Sequence, residues 1–355
     1  MILNNSERQR NRRPIKWLWI GLIIGIVVLA TAIIPLPYYV YLPGTAEQLK
    51  PIITVSGGHK QERGTFMLTT VFVLPASNLW YFLYGWAQPY SQVLPKTDVQ
   101  GPYSSQEYSI LNTYMMKSSK ESSEVAALRY LGKPVQVKQD GLLVQKVMST
   151  SKAQGLIQLG DLITAVDGHD IRTSDALISY LRMKSASDVI ALTITRHGRT
   201  MTVKVPLIQM PKSDQSYAKA GIGIEQVPLQ TVETPYQVQI KTGQIGGPSA
   251  GFMFSLEIVN QLSGVDLTKG YKIAGTGTMD MNGNIGQIGG IIHKIVAADR
   301  AGAQYFLAPA GVNARDAEQQ ARKIGTKMKV VPVKTLAEAV GFLKSLPEAP
   351  GTAHG

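Results

Sequence analysis

The chain has 355 residues, 44% hydrophobic and 17% charged, with a formal net charge of +12 and no cysteine. This length suits two compact domains plus an anchor, and the apolar content excludes bulk disorder. Thiol catalysis, disulfides and cysteine-ligated metals are excluded too. The positive charge falls in no zinc-finger spacing or aromatic–basic run, so nucleic acid is not an expected partner.

Residues 1–16 hold Arg8, Arg10, Arg12, Arg13 and Lys16 against Glu7. Residues 17–34 (WLWIGLIIGIVVLATAII) then carry no charge, which predicts a transmembrane helix contacting membrane lipid. The positive-inside rule leaves the basic tail 1–16 cytoplasmic and the rest of the chain extracellular. Trp17, Trp19, Tyr38, Tyr39 and Tyr41 stand where interfacial aromatics belong. Ala30-Thr31-Ala32 has the small-x-small pattern of signal cleavage, but it lies inside the apolar run, and a retained anchor is the reading taken. Pro35, Pro37, Pro43 and Gly44 end that helix. Residues 64–74 (GTFMLTTVFVL) read as a strand. Ser104 with Glu107 forms a capping-box pattern opening a helix towards Tyr130. The segment 43–130 contains no catalytic constellation.

Residues 131–209 differ in pattern. Strand-type runs at 141–144, 161–166, 189–195 and 200–205 surround a helix at 173–181. The stretch Gly155-Leu-Ile-Gln-Leu-Gly160-Asp-Leu-Ile-Thr-Ala-Val-Asp-Gly168 resembles the PDZ family. That resemblance implies a small β-barrel-like domain that takes an extended peptide by strand addition. It places Gly141, Leu142, Leu143 and Val144 at the carboxylate-binding loop, although Leu143 replaces the family's usual second glycine. A domain that only braces its neighbour is the other reading.

Residues 217–346 return to glycine-punctuated strands and helices, followed by a tail at 347–355. Within Gly246-Gly-Pro-Ser249-Ala-Gly251, Pro248 suits a first helical turn, and Ser249 would sit at a helix N-terminus, where free N–H groups favour an oxyanion. Downstream, Gly289-Gly290-Ile-Ile-His-Lys294-Ile-Val-Ala-Ala-Asp-Arg-Ala301-Gly302 reads as a helix. At about 100° per residue, Lys294 shares a face with Ile291, Ala297, Ala298 and Ala301. A lysine centred on an apolar stripe is a candidate neutral base, because desolvation lowers its pKa.

These motifs, with Gly275-Thr276-Gly277, Gly283 and Ile288-Gly289-Gly290, resemble the protease domain of the Lon family over about 130 residues. The anchor, the PDZ-like part and this domain together resemble the membrane-bound, PDZ-containing Lon-like proteases of Gram-positive bacteria. The resemblance implies an α+β fold in which Ser249 is the nucleophile and Lys294 the base, with Thr276 orienting the lysine. Thr278 competes for that last role from the same strand. Backbone N–H groups of Gly246, Gly247 and Ser249 are the candidate oxyanion donors. Peptide or protein is the expected substrate, with a homo-oligomer as a further implication and residues 43–130 as part of the protease fold. No G-x-x-x-x-G-K-[ST] run occurs, so ATP is not an expected partner, and no cofactor or metal is expected. Gly247-x-Ser249-x-Gly251 also matches a nucleophile elbow, which would need His293 with Asp266 or Asp280. A non-catalytic peptide-binding scaffold is the remaining alternative.

Overall fold

The computed structural model describes residues 12–59, 62–210 and 220–350. Of the expected basic tail 1–16, residues 1–11 and the side chains of residues 12–16 lie outside the described residues. So do residues 351–355 of the expected C-terminal tail. Helix α1 (Arg12–Ile33) exposes apolar side chains along its length, from Trp17 and Leu18 to Ile33. The expected span 17–34 falls on this helix. Among the described residues, no helix is long and apolar enough to cross a membrane.

The chain continues through β1 (Tyr38–Gln48), β2 (Ile53–Val55), β3 (Thr65–Pro75), α2 (Leu79–Ala87), β4 (Gln92–Pro95), α3 (Lys96–Gln100) and α4 (Ser105–Tyr130). The capping box at α4 forms as its sequence predicts, with Ser104 and Glu107 satisfying each other's backbone N–H.

An inserted unit follows: β5 (Gln136–Val147), β6 (Leu162–Val166), β7 (His169–Asp170), α5 (Ser174–Leu181), β8 (Val189–Arg196), β9 (Arg199–Pro206), β10 (Ile208–Gln209), β11 (Ala220–Gly221) and β12 (Ile224–Glu233). Its main sheet runs β12-β5-β6-β8-β9, with β7 paired to β6. Leu142, Val144, Ile163, Leu177, Ile190 and Leu192 fill its core. Thr173 caps α5 by accepting from the Ala176 N–H. The glycine–aspartate motif has a structural use: buried Asp161 holds Arg196 at 2.6 Å. Strand β12 lies beyond residue 209, inside the stretch read from sequence as protease, yet it forms one edge of this sheet.

The last part comprises β13 (Val238–Ile240), α6 (Gly251–Ser263), β14 (Lys272–Gly275), β15 (Thr278–Met279), β16 (Ile285–Gly286), α7 (Ile291–Arg300), β17 (Tyr305–Pro309), α8 (Val312–Ile324), β18 (Lys329–Val333) and α9 (Leu336–Ser345). A six-stranded sheet of order β18-β17-β14-β3-β1-β4 unites it with the segment before the insertion. Strands β18, β17, β14 and β3 are parallel, whereas β1 pairs antiparallel with β3 and β4. The period of two explains how both faces bury. Phe66, Leu68, Ile273 and Leu307 pack towards α6 and α9, while Met67, Ala274, Phe306 and Ala308 pack towards α7 and α8.

Helix α6 carries a fully buried carboxyl at Glu257, whose Oε1 accepts from Gln261 at 2.5 Å and whose Oε2 has no donor partner among the described residues. Burial, reinforced by the neighbouring Glu62, pushes this carboxyl up to about 9. Between the ordinary carboxylate range and about 9, the folded state binds the extra proton, so stability falls as pH rises through that window. Glu257→Gln should flatten this decline and raise the melting temperature at pH 8 relative to wild type. Thermal denaturation followed from pH 5 to pH 9 checks both.

Candidate active site

Three segments distant in sequence meet at one amine. Helix α7 starts at Ile291 and buries Ile291, Lys294, Ala297 and Ala298 while Asp299 and Arg300 face solvent. The stripe read from sequence is buried up to Ala298, with Ala301 half-buried, but His293, Ile295 and Val296 are buried too, so the helix is packed on more faces than the stripe alone. Lys294 is 3% exposed, and among the described residues no carboxylate pairs with it. Its Nζ lies 2.8 Å from Ser249 Oγ, 2.9 Å from Thr276 Oγ1 and 2.9 Å from the Thr69 carbonyl. Desolvation alone brings the ammonium down to about 7 from its ordinary value near 10.5.

The partners determine where the lone pair points. A neutral amine has two N–H donors and one lone pair. The Thr69 carbonyl can only accept. The single proton of Thr276 Oγ1 is donated to the Ser249 carbonyl at 2.9 Å, so Oγ1 is left to accept from lysine. Both N–H groups are thereby used, and the lone pair faces the Ser249 hydroxyl. Thr278, the competing threonine, sits in β15 paired to β16, its hydroxyl against Gly286.

Ser249 itself lies in the turn before α6, which begins at Gly251 with Ala250 as its cap residue. The expectation that Pro248 occupies the first helical turn is corrected. The Ser249 carbonyl takes bonds from Thr276 Oγ1 and the Gly277 N–H, both at 2.9 Å, and so cannot accept the helical bond that residue 253 would offer. Gly277 permits this close seam, since a Cβ there would come within 2.6 Å of Ile285. Of the three expected oxyanion donors, the Gly247 N–H is directed to the Asn112 carbonyl at 3.5 Å. The Gly246 and Ser249 N–H groups have no partner among the described residues.

Ser249 lines two clefts. One, of about 740 Å³, is bounded by Thr69 to Leu74 of β3, Gly246 and Lys294. The other, of about 470 Å³, is bounded by Tyr103, Asn112, Pro248, Thr278 and Gln287. Sequence reasoning missed Thr69, whose carbonyl carries no residue-type signal. It read α4 as a helix but not its part in the site: the Ser119 hydroxyl donates to the Pro248 carbonyl at 3.1 Å and the Ser123 hydroxyl donates to the Gly251 carbonyl at 2.8 Å.

The nucleophile-elbow triad does not assemble. His293 is buried, with Nδ1 2.8 Å from the Tyr90 carbonyl. Asp266 is bonded to Arg63 and Thr268, and Asp280 to Asn282 and Asn284. Among the described residues no cluster of metal-ligating side chains occurs.

The peptide-binding expectation needs relocation. Gly141, Leu142, Leu143 and Val144 form no loop: they lie within β5, paired on one side to β12 and, at Leu142 and Leu143, on the other to β6. A strand already flanked on both sides cannot accept another. The edge is β12, bordered by α5 through a bond from Ser174 Oγ to Gln226 Oε1 at 3.1 Å. It is preceded by Gly221-Ile222-Gly223-Ile224, a glycine-alternating signal that the sequence offered. Tyr114 of α4 occupies the edge at the Pro228 carbonyl, whereas Tyr103 meets the N-terminal half of β12 through the Glu225 side chain and not its backbone.

Comparison with known proteins agrees with this division. Residues 129–207 match the PDZ domain model, and residues 237–344 match the Lon protease (S16) C-terminal proteolytic domain. The Lon protease of Neorickettsia sennetsu is 34% identical over 96 residues, covering 27% of this chain and 11% of that protein. The Lon protease of Trichlorobacter lovleyi is 33% identical over 110 residues, 30% of this chain and 13% of that protein. The chain thus spans little more than a tenth of the length of these curated relatives. The crystal structure of the PDZ domain of the SdrC-like protein from Listeria monocytogenes is 27% identical, covering 26% of this chain and 93% of that one, with a TM-score of 0.24. The Lon matches support a serine peptidase.

Thr276→Val would free a lysine N–H and leave the Ser249 carbonyl short of a donor. Ser249 labelling by a fluorophosphonate should slow about 10- to 100-fold, less than the roughly 100- to 10,000-fold that a positioned base itself supplies, while Thr276→Ser keeps most of the rate. In wild type the labelling rate should rise with pH through a midpoint near 7, where Lys294 becomes neutral.

Proposed function

We propose that the chain is a membrane-anchored, ATP-independent serine endopeptidase that cuts secreted or membrane-associated polypeptides outside the cell. The observation that carries this reading is the buried Lys294 amine 2.8 Å from the Ser249 hydroxyl, in a domain matching Lon-type proteases. Neutral Lys294 takes the hydroxyl proton as Oγ attacks the scissile carbonyl. The N–H groups of Gly246 and Ser249, without a partner among the described residues, would receive the oxyanion, each donor contributing on the order of 3 kcal/mol in comparable sites. Protonated Lys294 then gives its proton to the leaving amine, and neutral again it activates water for deacylation.

Substrate geometry follows from the sheet. Strand β14 ends opposite Leu68, leaving Thr69 to Leu74 of β3 without a paired strand on that side among the described residues, along the wall of the larger cleft. An extended peptide fits there as an added strand, crossing Ser249 into the second cleft. A second segment of the substrate adds to the open edge of β12. Anchoring rests on the uncharged residues 17–34, whose side chains project from α1 into the surroundings. ATP independence rests on the missing phosphate-loop motif.

The test is activity-based labelling of the full chain in detergent without nucleotide. Wild type should label and cleave a reporter peptide, whereas Ser249→Ala and Lys294→Arg should do neither while melting like wild type. Arginine stays charged and cannot serve as the base. Equal labelling of Ser249→Ala would refute the assignment.

A further inference from the structure

Helix α2, of sequence LWYFLYGWA, is an unusual surface helix. It contains no charged residue, and none occurs anywhere from Thr65 to Pro95. Its inner face is narrow: Phe82 meets the Tyr38 ring edge-on at 5.3 Å, and Gly85 lies against Val40, where a Cβ would come within 2.5 Å of that side chain. The rest points outward, with Trp80 53%, Tyr84 54% and Trp86 75% exposed, alongside Tyr81 and Leu83. Single exposed apolar residues are ordinary, but five large ones on one short helix form a continuous patch.

The position of α2 indicates what covers it. Asn78, which caps α2 through the Tyr81 N–H, also donates from Nδ2 to the Ala32 carbonyl at 3.0 Å, in the last turn of α1. The Leu36 N–H donates to the Ala76 carbonyl at 3.1 Å. The aromatic patch is therefore continuous with the end of the apolar α1. Tryptophan and tyrosine beside the end of such a helix have the composition of a bilayer interface, where an apolar ring body and a polar tip are both satisfied.

We infer that α2 is a second membrane contact, lying in the headgroup region of the bilayer with Trp80, Tyr81, Tyr84 and Trp86 embedded. The inference rests on reading α1 as the anchor and adds a lipid-facing surface to the catalytic domain itself. The cleft shares that surface's strand: β3 runs from Thr69 beside Lys294 to Pro75, just ahead of α2. At most about 20 Å of extended chain separates those two residues. Substrates would then be met close to the bilayer, as membrane-tethered or surface-bound segments.

The experiment uses the full chain reconstituted in phosphatidylcholine–phosphatidylglycerol vesicles, with lipids brominated either near the headgroup end or near the methyl end of the acyl chain. The chain has 4 tryptophans, so Trp17→Phe with Trp19→Phe leaves Trp80 and Trp86 as reporters, and the converse pair isolates the anchor. Fluorophosphonate labelling of both variants establishes that the fold is kept. Blue-shifted Trp80/Trp86 emission, quenched most by bromine near the headgroup, is the expected result. Red, unquenched emission from that pair overturns the inference, and if Trp17/Trp19 are quenched in the same vesicles the anchor reading survives. Blue emission without quenching also overturns it, because the patch is then covered by protein. Quenching at Trp80/Trp86 but not at Trp17/Trp19 removes the anchor reading and overturns the inference as stated, since α2 would then be a first contact and not a second one.

Discussion

A lysine amine kept dry is the constraint on which the catalytic domain turns. The difference between an ordinary lysine and one titrating near 7 corresponds to about 5 kcal/mol of preference for the neutral form, comparable with the whole net stability of many domains. One carboxylate nearby would undo it. Lys184 shows the contrast, since its bond to Asp167 at 3.0 Å raises its pKa and holds it charged. At Lys294 every partner is a neutral oxygen. The core around α7 has to offset the desolvation, which is why the stripe of Ile291, Ala297 and Ala298 matters as much as the lysine it carries.

The three oxygens come from both sides of the inserted PDZ-like unit. Thr69 is 225 residues before Lys294, on a strand formed ahead of the insertion, whereas Ser249 and Thr276 follow it. The site cannot form from residues 237–344 alone, because β3 supplies both the carbonyl acceptor and the central strand of the sheet. Completion of that sheet across the insertion is thus a precondition for a competent base. Helix α4 closes the gap from the other side, meeting β12 through Tyr114 and the serine turn through Ser119 and Ser123.

Legibility in the sequence followed whether a function depends on side-chain type or on backbone position. The pairing of Ser249 with Lys294 came through the likeness to Lon-type domains; a glycine-flanked serine and a lysine on an apolar helix face are each suggestive, but neither is sufficient alone. The choice of Thr276 over Thr278 was not legible, since two residues apart they would share a face of one strand; the break at Gly277, between β14 and β15, is what sends their hydroxyls to different partners. Thr69 contributes a carbonyl, which any residue provides. The error at Gly141 to Val144 is instructive. The likeness to the PDZ family suggested a binding loop there, but the glycine serves close packing: a Cβ at Gly141 would sit 2.5 Å from the Ile163 carbonyl of the neighbouring strand. The glycine-alternating run at Gly221 to Ile224 carried the better signal, because it borders the one side of β5's partner that remains open.

The contacts joining the two units also differ in kind from the catalytic one. Tyr103 bonds Glu225 on β12, and Tyr114 bonds the Pro228 carbonyl. The bond to Glu225 pushes the Tyr103 phenol up to about 12, and burial takes Tyr114 to about 12. Both therefore remain neutral donors throughout the range in which Lys294 changes charge. In the mechanism proposed, protonation of Lys294 would therefore switch off the base with both phenols still able to donate across the joint. Proposed recognition and proposed chemistry would be joined mechanically by Tyr103 and Tyr114, whose protons stay in place while that of Lys294 comes and goes.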